Sequence, residues 1–112
     1  MKYFCSIRIS TVNENYQKIS KILDVEISDY KKGWIYEVVL IDDGDYYSVI
    51  NMFLDKLNKH IKELKSLGIS SENISIWLIY EYSEQCDLEF EPTLLKRLGQ
   101  SEIHLCISCY EA

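Results

Sequence analysis

The chain has 112 residues, 18 acidic against 12 basic side chains for a net charge of −6, 47% hydrophobic residues, four glycines and one proline. That is the composition of one globular domain, long enough to build a core without disulfide or metal support and too short for a second domain beside it. The acidic balance argues against nucleic-acid binding, which draws on a basic surface, and no stretch approaches the roughly 20 apolar residues of a membrane span.

Along the chain, Tyr3, Cys5, Ile7 and Ile9 alternate with Phe4, Ser6, Arg8 and Ser10, the period of a strand with one apolar face. Asn13 or Asn15 is placed to cap a short helix whose apolar stripe is Tyr16, Ile19, Ile22 and Leu23. After a charged loop, Gly33 opens a second strand over 34–41, whose β-branched and aromatic content marks it as central in a sheet. Asp42, Asp43, Gly44 and Asp45 read as a turn joined to a helix N-terminus, where carboxylates satisfy free N–H groups and the positive end of the helix dipole.

The following helix is expected to run unbroken to about Leu67. Tyr46, Ile50, Phe53, Leu54, Leu57, Ile61 and Leu64 form one side of it and Lys56, Lys59, Lys62 and Lys65 the other, with Asp55 spaced to pair with Lys59. Gly68 stops it. A third strand over 74–82 alternates Ile74, Ile76, Leu78 and Tyr80 with Ser75, Trp77, Ile79 and Glu81, and an acidic connector follows over 83–91. Pro92 suits the first turn of a short helix ended by Gly99, and a fourth strand over 103–110 has Ile103, Leu105, Ile107 and Cys109 as its apolar face.

The order β-α-β-α-β-α-β predicts an α+β fold over 1–112: a single domain with a four-stranded mixed sheet and helices mainly on one face. The uncovered face would carry Phe4, Ser6, Arg8, Glu37, Val39, Trp77, Ile79, His104, Cys106 and Tyr110.

The segment Glu89-Phe90-Glu91-Pro92-Thr93-Leu94-Leu95-Lys96-Arg97-Leu98-Gly99, with the strand Ile103-His104-Leu105-Cys106-Ile107-Ser108-Cys109-Tyr110, resembles the C-terminal signature of a bacterial family, domain of unknown function 4279. The stretches 19–25 and 32–34 are similar to its N-terminal half, whereas Cys106 or Ser108 stands where that family often has Asp. The resemblance implies the fold and carries no activity. In size and charge the chain also resembles the immunity proteins of polymorphic or contact-dependent growth-inhibition toxin systems.

Candidate chemistry is sparse. Cys106-x-x-Cys109 has redox spacing, but in a strand that spacing sends the side chains to opposite faces. Cys5, Cys86, His60 and His104 are scattered, without the paired short spacings of a zinc site, and the glycines form no phosphate loop. No nucleophile and base are legible as a pair, so neither an enzyme nor a cofactor is expected. The first eight residues lack the apolar core of a secretory signal, which makes the cytoplasm the expected location and reduced thiols the expected state.

What remains is charge. Residues 33–55 hold Glu37, Asp42, Asp43, Asp45 and Asp55, and residues 66–95 hold Glu72, Glu81, Glu84, Asp87, Glu89 and Glu91, with no Lys or Arg in either stretch. Turn and cap roles account for the Asp42–Asp45 group most simply. Acids interleaved with Tyr80, Tyr82 and Phe90, however, have the composition of an interface for a basic partner. The expected function is therefore a non-enzymatic immunity protein that binds a cognate toxin through its basic active-site cleft. Its expected contact residues are Glu84, Asp87, Glu89, Tyr82 and Glu81, with Asp42, Asp43, Asp45 and Tyr46 second. The alternatives are a ligand-binding module or small enzyme using Trp77, His104 and Tyr110 on the open face, or a homodimer formed through that face.

Overall fold

In the computed structural model, which describes residues 3–40 and 46–111, the four strands are β1 (Tyr3–Ile9), β2 (Trp34–Leu40), β3 (Ile74–Tyr82) and β4 (His104–Glu111). They form one mixed sheet in the order β2-β1-β3-β4: β1 is antiparallel to both neighbours, and β3 and β4 are parallel. The helices are α1 (Tyr16–Leu23), α2 (Tyr46–Lys59), α3 (Ile61–Ser66) and α4 (Pro92–Ser101), with 3₁₀ turns at Asn13–Asn15 and Ser71–Asn73. The fold is the α+β class expected, with the core between the sheet and the helices.

Alternation decides which side of each strand is buried. Tyr3, Cys5, Ile7 and Ile9 of β1 and Ile74, Ile76, Leu78 and Tyr80 of β3 form the floor of the core, against Ile19 and Leu23 of α1, Ile50, Phe53, Leu54 and Leu57 of α2, Leu64 of α3, and Leu94 and Leu98 of α4. Tyr3 and Tyr80, partners in register, stack with ring centroids 4.5 Å apart.

Five local expectations need correction. The strand β2 lies at an edge, whereas β1 is central. Its aromatic content reports contact with helices: Trp34 is buried and donates its Nε1–H to Ser20 Oγ of α1 at 3.0 Å, and Tyr36 meets Phe53 of α2 edge-on at 6.0 Å. The long helix is broken at His60, whose φ of −114° and ψ of 18° leave the helical region while the apolar stripe continues through Leu64. Gly99 lies inside α4, and the left-handed residue that ends this helix is Glu102, at φ 56°. Gly68, at φ 79°, ends α3 as expected.

Asn15 makes no cap; its side-chain amide donates to Thr11 Oγ1 and to the Leu67 carbonyl, tying the start of α1 to the end of α3. Asp55 reaches across to Arg97 of α4. The same guanidinium donates to the backbone carbonyl and side-chain oxygen of Asn51, clamping α4 onto α2. Lys56 donates to the Leu23 carbonyl at 2.6 Å, satisfying the end of α1 from α2.

Two measurements check this core. Phe53→Ala, which empties a fully buried site, is expected to cost about 3–5 kcal/mol in denaturant unfolding. Burial raises the Cys5 thiol from its ordinary 9.0 to about 12. The unfolded chain therefore releases this proton first, and the contribution of Cys5 is complete below pH 9. Between pH 9 and 12 it falls by about 1.4 kcal/mol per pH unit. Unfolding curves of Cys5→Ala should lose stability less steeply over that range than the parent.

Candidate functional site

Past the end of β3 the core is covered by loop as well as by helix. Between β3 and α4 the chain crosses that end as an irregular segment, 83–91, with alternating burial: Cys86, Leu88 and Phe90 pack against the core, and Asp87, Glu89 and Glu91 are exposed. Glu84 is exposed just before them. Period-two alternation of apolar and acidic residues makes a rim of carboxylates above an apolar underside, held by the same burial that forms a strand. Tyr46 of α2 fixes its course by donating to the Glu89 carbonyl at 3.0 Å and by an edge contact with Phe90 at 5.8 Å.

Among the described residues, none of Glu84, Asp87, Glu89 and Glu91 pairs with Lys or Arg. Asp87 accepts only a neutral hydrogen bond, from Gln85 Nε2 at 2.5 Å. The nearest cations along the chain are Lys96 and Arg97, and Arg97 is occupied by Asn51 and Asp55. The rim therefore presents uncompensated negative charge.

The other expected contact residues are distributed differently. Tyr82 is half-buried against the core, and Tyr46 anchors the connector. Glu81 lies on the opposite face of the sheet, in register with Tyr110, which donates to Glu81 Oε2 at 3.4 Å. Partial desolvation, then the Glu81 charge and this hydrogen bond, raise the Tyr110 phenol. Asp42, Asp43 and Asp45 lie outside the described residues. Thus Asp87, Glu89 and Glu91 alternate along one rim, and Glu84 is exposed just before it. The Cys86-Asp87-Leu88-Glu89-Phe90-Glu91 alternation was the signal for that rim.

The open face is organised around β1 and β3. The Arg8 guanidinium lies 4.2 Å from the Trp77 ring centroid, and Trp77 donates to Ser75 Oγ at 3.0 Å. Trp77 sits opposite Ser6 in register, and Ser6 is fully buried despite being on the uncovered side. A shallow depression of about 510 Å³ runs along Arg8, Ile35, Glu37 and Ile79 toward Asp29, Lys31 and Lys32. Trp77, His104 and Tyr110 are outside its lining.

The cysteines sort by register. Cys106 pairs with Trp77 on the open face and Cys109 with Tyr80 on the helix side, so the Cys-x-x-Cys residues point apart. Instead Cys109 meets Cys86 of the connector, sulfur to sulfur at 3.0 Å. This pairing, at a sequence separation of 23, has no local sequence signal. Among the described residues no three His, Cys, Asp or Glu side chains are arranged to hold a metal ion. No helix among them is long and apolar enough to cross a membrane.

Removing the Tyr46 hydroxyl tests how the connector is held. Tyr46→Phe should lose about 0.5–1 kcal/mol of local stability, seen as faster amide hydrogen exchange over 86–91 with little change in global unfolding.

Compared with known proteins, the chain matches no family model, no curated protein and no solved structure.

Proposed function

We propose that this chain is a non-enzymatic binding protein, an immunity protein that neutralises a bacterial toxin domain in the cytoplasm by placing its acidic connector against a basic cleft. The observation that carries this reading is the exposed rim of Asp87 and Glu89, with Glu84 just before it, unpaired with any Lys or Arg among the described residues and seated on an ordered apolar underside. Carboxylates fixed in this way occupy positions that phosphates would take in a nucleic-acid-cleaving partner. The field of the rim steers encounter, and contacts from neighbouring apolar groups slow release. Anchoring by Tyr46, Cys86, Leu88 and Phe90 reduces the ordering cost on binding, since the segment is already folded onto the core.

A second reading uses the open face. Val39 at 58% and Tyr110 at 42% exposure, with half-buried Phe4, Trp77 and Ile79, leave an apolar surface where a ligand or a second copy would bind. Light scattering at high concentration tests the second-copy form of this reading, because the immunity reading is satisfied by a monomer.

The main test is coexpression with the product of the adjacent gene. The expected result is a complex and protection of growth; neither complex nor protection overturns the reading. The double substitution Asp87→Lys with Glu89→Lys should lower the association rate about 10-fold or more at low salt, with a smaller effect at high salt. Thermal unfolding should remain close to that of the parent, since both side chains are exposed.

A further inference from the structure

We propose that Cys86 and Cys109 are a redox-responsive pair that closes to a disulfide and pins the acidic connector to the edge strand β4. The two sulfurs are 3.0 Å apart, about 1 Å longer than a disulfide bond, and both residues reach solvent, Cys109 more than Cys86. One partner lies in an irregular segment and the other near the end of an edge strand, so the short approach needed for bonding falls on backbone that is free of helix and interior-sheet constraints. Cys5 is fully buried, and Cys106 faces the other side of the sheet. Neither competes for Cys109.

The chemistry is thiol–disulfide exchange with a low-molecular-weight disulfide such as oxidised glutathione. The Cys109 sulfur attacks one sulfur of the reagent, forms a mixed disulfide and releases the first thiol. Cys86 then attacks the Cys109 sulfur and releases the second. Two cysteine thiols are oxidised, one reagent disulfide is reduced, and the two cysteine protons end on the two thiols released. The order follows from exposure. Cys109 is the more exposed of the two and so meets the reagent first, while the hydrogen bond with Cys109, then partial burial and the neighbouring Cys109 and Asp87 charges, raise the Cys86 thiol. The inference is independent of what the acidic rim binds.

Oxidation of the purified full chain with oxidised glutathione, followed by non-reducing peptide mapping, tests it. The expected product is a monomer lighter by two hydrogens, with the Cys86 and Cys109 peptides linked. Cys106→Ser should leave that product unchanged, whereas Cys86→Ser should stop at a glutathione adduct on Cys109. Amide exchange over the connector should slow at least several-fold in the oxidised chain. A Cys106–Cys109 link, a persistent glutathione adduct on the parent chain, or thiols that stay free while reduced and treated chains are equally folded by circular dichroism would each overturn the proposal.

Discussion

Everything distinctive about this domain follows from covering one face of a four-stranded sheet with too little helix. The apolar floor formed by β1 and β3 is met by α1, α2, α3 and α4, and past the end of β3 by the connector. Exposed apolar surface costs about 25 cal/mol per Å², so the chain between β3 and α4 folds down to cover it. A segment recruited for that purpose must alternate, with Cys86, Leu88 and Phe90 inward and acids outward. The carboxylate rim and the thiol contact at Cys109 are both products of this single demand.

Polar side chains then join elements whose apolar contacts do not fix their relative position. Arg97 links α4 to Asn51 and Asp55 on α2, Lys56 links α2 to the end of α1, and Asn15 links the start of α1 to the loop after α3. Each of these side chains is held against a neighbouring element. Arg97, one of the two basic residues nearest the connector along the chain, is held in this way against α2 and is turned to Asn51 and Asp55.

Periodicity made much of this legible in the sequence: the four strands, the buried side of β1 and β3, the one-sided sheet, and the helices begun by Tyr16 and Pro92; the apolar face expected for the fourth strand is not buried along β4, where Ile107 and Cys109 are exposed. Strand order was not legible, because a helix above Trp34 and Tyr36 selects the same residues as a strand on either side of them. The break at His60 was hidden inside an unbroken apolar stripe, and the Glu102 cap uses a residue type without a left-handed preference. The acids of the rim were visible as charge, but their common direction depends on Cys86, Leu88 and Phe90 being buried, a property of tertiary packing.

The strand order also governs when the sheet can form. β1 completes one edge with β2 soon after α1, while its other edge waits for β3, so Ile9 meets its partner Ile74 only after α2 and α3 have been made. Until then the central strand has an unpaired edge, and this non-local closure is what slows folding and invites pairing with the wrong chain. On a ribosome the early β1–β2 pair and α1 would shelter only half of the central strand, leaving the nascent domain dependent on rapid arrival of its middle segment.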